Sequence, residues 1–123
     1  MEPARTIIVV SAKKAEPGID REMEPRRVRI LRADSIKAAT ALAELAPIGT
    51  AIITDLALRD GNWRDLVEGV RRIGKAMPVA LVSPASTPEL WWDALECGVE
   101  DILPAPLSVS RLCEYLGVHS EQS

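Results

Sequence analysis

The sequence predicts an α/β fold, a five-stranded parallel sheet wrapped by helices on both faces, and three observations lead there. Ile7-Ile8-Val9-Val10, Ala51-Ile52-Ile53-Thr54 and Val79-Ala80-Leu81-Val82 are short, continuous apolar runs rich in β-branched residues. Such runs mark strands covered on both sides. Between them lie stretches with helical spacing and legible caps. Strand and helix patterns alternate strictly through short connections, which requires right-handed crossovers and therefore parallel strands.

Taken in order, the first strand is Ile7 to Val10. The first helix is short or distorted, because Pro17, Gly18 and Pro25 leave room for two turns from Ile19 to Glu24. Arg27-Val28-Arg29-Ile30 alternates, as a second strand at a sheet edge would. Asp34 or Ser35 caps a helix running to about Ala46, with Ala38, Ala39, Leu42 and Leu45 on one stripe and Pro47 as its stop. The third strand follows. Trp63 to about Lys75 is the next helix, presenting Leu66, Val67, Val70 and Ile73. After the fourth strand, Thr87-Pro88 is a cap with a first-turn proline, and Gly98 closes that helix. Asp101-Ile102-Leu103, stopped by Pro104, is a weaker fifth strand, and the last helix runs from Ser108 or Ser110 to Gly117.

The chain has 123 residues, 47% hydrophobic and 27% charged, with a formal charge of −3. That length suits one domain spanning 1–123, with a core of about 6–116 and a polar tail at 117–123. The acidic balance gives no general attraction to nucleic acid or to anionic membranes. No apolar stretch approaches a membrane span and Met1 to Arg5 lack a secretory pattern, so a cytoplasmic location is expected. Cys97 and Cys113 sit within apolar periodic segments and read as buried or half-buried thiols, and His119, the one histidine, reads as a surface residue. Arg26, Arg27, Arg29 and Arg32 suggest an anion patch, but charge on an edge strand more commonly blocks aggregation. No Ser-His-Asp set, metal-ligand cluster or catalytic carboxylate pair can be assembled, so an enzyme is not expected.

Ile7 to Val10, Ala51-Ile52-Ile53-Thr54-Asp55, Val79 to Ser83, Ala94-Leu95-Glu96-Cys97-Gly98 and Ala105-Pro106 together carry a specific register. In that register the chain, from about Thr6 to Leu116, resembles the CheY-like receiver domains of two-component response regulators. The resemblance implies a doubly wound, flavodoxin-like sheet in the order 2-1-3-4-5 with its pocket at the carboxyl ends of the strands. It makes Asp55 the phosphoacceptor position, Ser83 the hydroxyl position and Ala57 the source of a carbonyl. The acidic pair that holds Mg²⁺ in receivers corresponds to Ser11 and Ala12, the lysine to Ala105, and the aromatic switch on the fifth strand to Ile102.

Mg²⁺ prefers anionic oxygens in octahedral geometry, and Asp55 with the Ala57 carbonyl is a poor set. With the cation at Ala105 also lost, Asp55 is not expected to be phosphorylated efficiently, and the chain reads as a degenerate pseudo-receiver without cofactor. Glu16, Asp20 and Asp60 are the alternative ligands, although each reads more simply as a solvated or turn residue.

The fourth helix carries apolar character over more than half its circumference through Leu90, Trp91, Trp92, Ala94, Leu95 and Cys97. The chain has three Trp, one Tyr and no Phe, so two adjacent indoles concentrate its interface anchors. By the resemblance, Trp91, Trp92 and Leu95, with Cys113 and Leu116 nearby, face the surface of helix 4, strand 5 and helix 5. The expected function is signal transduction by protein–protein contact there, with a signalling protein or a second copy. The alternatives are an active single-domain response regulator that accepts a phosphoryl group on Asp55 in a phosphorelay, with Mg²⁺, and a small-ligand domain using the same crevice. The last is weakened by Ser11-Ala12-Lys13-Lys14, which has no glycine-rich cradle.

Overall fold

A computed structural model describes residues 5–13 and 17–118, apart from the Pro17 side chain. The strands are β1 (Arg5–Val10), β2 (Val28–Ala33), β3 (Ala51–Asp55), β4 (Val79–Ser83) and β5 (Asp101–Pro104). The helices are α1 (Pro17–Met23), α2 (Ile36–Leu45), α3 (Trp63–Ile73), α4 (Pro88–Glu96) and α5 (Val109–Leu116). The strands form one sheet in the order β2-β1-β3-β4-β5, every neighbouring pair parallel. This is the doubly wound order expected.

Alternate residues of each central strand feed opposite cores. Ile8, Val10, Ile52 and Leu81 face α2, α3 and α4, whose Ala39, Ala43, Trp63, Leu66, Val70 and Ala94 close that layer. Ile7, Val9, Ile53, Ala80 and Val82 face α1 and α5, which contribute Ile19, Met23, Leu112, Cys113 and Leu116. The continuous apolar runs are explained by this two-sided cover.

The caps were legible locally. Ser35, Thr87 and Ser108 accept the backbone N–H three residues on, from Ala38 (3.1 Å), Leu90 (3.1 Å) and Arg111 (3.2 Å). Asn62 and Asp65 form a reciprocal capping box at the start of α3. At the other end of α2, Lys75 Nζ donates to the backbone carbonyls of Glu44 (2.5 Å), Ala46 (2.9 Å) and Ala43 (3.2 Å). A lysine there also suits the negative end of the helix dipole.

Three expectations need correction. The first helix starts at Pro17 and gives way after Met23 to a 3-10 turn over Glu24–Arg26, which Arg27 leaves in the left-handed region at φ 62°. That reversal moves the start of β2 to Val28 and lets it run on to Ala33. Leu45 leaves the core and is 89% exposed. The buried side of α2 is centred on Ala39 and Ala43, about 140° around the helix from Leu45, so Leu45 hangs out beside the edge strand. Glu16 and His119 lie outside the described residues. Among those described, no helix is long and apolar enough to cross a membrane.

Candidate functional site

β1 and β3 end side by side, and the two residues at their tips meet. Ser11 Oγ donates to Asp55 Oδ2 at 2.5 Å while accepting the backbone N–H of Lys13 at 3.1 Å. The Ser11 backbone is fixed in turn by its N–H to Ala33 O at 2.9 Å. Asp55 thus sits in a half-open cleft of about 160 Å³ with Ser11, Lys13, Ile19 and Arg32 on one side and Val82, Ala105, Pro106 and Leu107 on the other. The Ala105–Pro106 peptide is cis. Ala105 brings only a methyl group to this wall.

The other expected members of the pocket do not converge on the carboxylate. Ser83 is buried, and its Oγ donates to Ala85 O at 2.5 Å and accepts Ala85 N–H at 3.3 Å, a local turn that occupies the hydroxyl. Ala57 is exposed and pairs with Asn62 in a two-residue antiparallel ladder beyond β3, and Ala12 is exposed beside Ser11. Ile102 is core, packed in the α2–α3–α4 layer. Among the described residues, no group of three His, Cys, Asp or Glu side chains is placed to hold a metal. Among the described residues, the donor set at Asp55 is one carboxylate and a serine hydroxyl already donating to it. Those residues do not fit Mg²⁺, which needs several free anionic or neutral oxygens.

Two alternative ligands are committed elsewhere. Asp20 pairs with the Arg32 guanidinium across the mouth of the cleft. Asp60, in the loop after β3, reaches back to the start of α2, where Oδ1 accepts Ile36 N–H at 2.7 Å and Oδ2 accepts Lys37 N–H at 3.1 Å. Those N–H donors hold its carboxyl below the usual value of 3.8.

Lys13 and Arg32 are the cleft residues that sequence reasoning missed. Arg32 had been grouped with an edge patch, yet the parallel register sets it opposite Val9, two residues before Ser11. Counting the second strand out to Ala33 would have found it.

On the flank formed by α4, β5 and α5, Trp91 is half buried against the α2–α3–α4 core, its Nε1 donating to Ser86 Oγ at 2.6 Å. Trp92 is 68% and Leu95 60% exposed. Cys113 is corrected as an interface residue, because it is fully buried with its thiol 3.8 Å from Met23 Sδ. Leu112, Cys113 and Leu116 are the inward side of α5, which leaves Arg111 and Glu114 outside. Tyr115 bridges the flank by donating its hydroxyl to Glu100 Oε1 at 3.0 Å. Burial first, and then the Glu100 carboxylate, pushes that phenol well above its usual 10.0. α4 is held to α3 at two points, the Arg64–Asp93 ion pair and the Arg71 guanidinium on Cys97 O.

No family model matches the chain. The chemotaxis protein CheY4 of Vibrio cholerae superposes with a TM-score of 0.81 at 17% identity, over 92% of this chain and 96% of that one. The CheY-like receiver domain of Methanospirillum hungatei JF-1 gives 0.78 at 18% identity, over 92% and 90%. The non-phosphorylated HemR receiver domain of Leptospira biflexa gives 0.72 at 22% identity, over 92% and 91%. In sequence, 61 residues are 36% identical to a Salmonella typhimurium protein named probable transcriptional regulatory protein SilR, spanning 50% of this chain and 27% of SilR. The matched segment is thus about a quarter of that relative's length. With the sheet order, the strand-end cleft and Asp55 at its tip, the chain has the CheY-like fold of response-regulator receiver domains.

Proposed function

We propose that this chain is a receiver-like signal-transduction module, not efficiently phosphorylated, that acts by protein–protein contact through the α4–β5–α5 flank. One observation carries the proposal: the acceptor carboxylate is already bonded to Ser11 at 2.5 Å, and among the described residues no second carboxylate lines its cleft. Phosphoryl transfer to Asp55 would bring a highly charged donor against an anion, and it depends on preorganised positive charge and free donors at that point. Ala105 offers none, and the Ser83 hydroxyl is turned into its own loop. The exposed Trp92 and Leu95 give the α4–β5–α5 flank the apolar surface that contact requires. The likeness to a chemotaxis protein and to a transcriptional regulatory protein supports a signalling role in the cytoplasm rather than an enzymatic one.

Incubation with Mg²⁺ and acetyl phosphate, followed by intact-mass measurement, tests the proposal. The expected result is unmodified protein. A stoichiometric, acid-labile phosphate adduct lost in Asp55→Asn overturns it. A second reading gains support from Lys13 and Arg32, which bring positive charge to the cleft: a single-domain response regulator that takes a phosphoryl group on Asp55 in a phosphorelay. The same measurement decides between the two.

A further inference from the structure

Among the described residues, the large apolar side chains left exposed fall into two pairs on one helix layer. Trp92 and Leu95 belong to α4; Leu45 and Ile48 lie at the end of α2. α2 covers the β2 side of the sheet and α4 belongs to the β4–β5 side, so the pairs occupy opposite flanks of the molecule. Each is about the size of a contact anchor and neither is covered by the described residues.

Their electrostatic settings are opposite. Glu89, three residues before Trp92, and Glu96, four after, are exposed and share its side of α4, with Glu100 just beyond the helix. At the other flank, Leu45 borders a cleft of about 280 Å³ whose walls are Thr6, Arg29, Leu31, Leu42, Ala46 and Pro47. Arg29 is exposed on the edge strand, and Lys75 stands over the carboxyl end of α2, beside Glu44, the acid at that end. One flank is an apolar ridge between acids. The other is a cleft of mixed polarity, with leucines and a guanidinium in its wall.

We propose that the α4 ridge of one copy docks into the α2–β2 cleft of a second copy, head to tail. The inference rests on the α4 contact reading and names its partner. Joining ridge to ridge would set Glu89 and Glu96 against the same residues of the partner, and joining cleft to cleft would oppose two Arg29 side chains; such like-charge contacts select against both. Only ridge to cleft matches apolar with apolar and acid with base. The two surfaces differ, so the contact is heterologous, and every docked copy leaves one ridge and one cleft open.

Sedimentation of the full chain over a wide concentration range tests this. Wild type is expected to gain mass with concentration, less so at high salt because the Arg29 contact is screened. Trp92→Ser and Leu45→Ser are each expected to stay monomeric, while their equimolar mixture forms dimers and stops, since one intact ridge then meets one intact cleft. Arg29→Glu, which leaves every apolar residue in place, is expected to weaken association by about tenfold or more. The thermal midpoints of these variants serve as the folding control. Wild type that remains monomeric throughout, or a mixture that remains monomeric, overturns the head-to-tail contact but leaves α4 available to another protein. Leu45→Ser that associates like wild type, with Trp92→Ser monomeric, also overturns it and assigns α4 to a symmetric contact. Trp92→Ser that associates like wild type removes the α4 reading as well.

Discussion

The strand-end cleft and the α4 flank of this molecule are built from the same fold but differ in what their side chains have left to give. In the cleft, Ser11 holds Asp55 and Arg32 holds Asp20, and at the end of β4 Ser83 holds Ala85. On α4, Trp91 is satisfied by Ser86 and the core, but its neighbour Trp92 and Leu95 find no cover. A group already paired adds little to a new ligand, because binding must first break what folding made. Uncovered apolar area has no such debt. The difference teaches that one fold can close polar groups on each other at one surface and leave apolar area open at another.

The largest effect that sharpens this contrast comes from two tryptophans. Trp63 is 3% exposed at the start of α3 and Trp92 is 68% exposed. Trp63→Ala should cost about 3–5 kcal/mol of stability, against roughly 0.5 kcal/mol or less for Trp92→Ser, by denaturant unfolding. A large loss at Trp92 would mean that its indole is core, and the α4 flank would lose its claim. Next, Ser11→Asp, Ala12→Asp and Ala105→Lys together restore acids and a cation around Asp55. The triple variant should take up acetyl phosphate about 100-fold faster than wild type with Mg²⁺ present, by intact-mass time course. No gain would show that something other than charge closes the cleft.

The smallest effect concerns Asp60. Its folded value is depressed by the Ile36 and Lys37 N–H groups, so its contribution to stability is complete above 3.8 and is lost as pH falls through the lower folded value. Asp60→Asn should remove that acid-limb dependence in melting curves while leaving neutral-pH acetyl phosphate reactivity unchanged. A change in reactivity would return Asp60 to the cleft as a ligand.

The strands and most helix starts were legible because their causes are local. A run such as Ile52-Ile53 needs two covered faces, and Thr87 before Pro88 has a capping geometry within three residues. What escaped depends on elements far apart in the chain. Asp60 caps a helix that begins 24 residues earlier, and nothing near either end announces it. Leu45 followed helical spacing correctly from Ala38, but where α2 sits on the sheet decided which side of that stripe met water. Cys113 was placed on the right helix and the wrong side, because Leu112, Cys113 and Leu116 form a stripe whose facing partner, Met23, lies 90 residues away. At the cleft, the uncharged residues Ser11, Ala12 and Ala105 could be read directly. That Ser11 would close on Asp55, and that Lys13 and Arg32 would border them, required the register of three strands.

The two ties from α3, Arg64 to Asp93 and Arg71 to Cys97 O, brace α4 midway and at its exit. A helix so braced holds the backbone beneath its exposed indole in place before any encounter. A partner docking there would give up its own freedom without also having to quench the motion of that backbone.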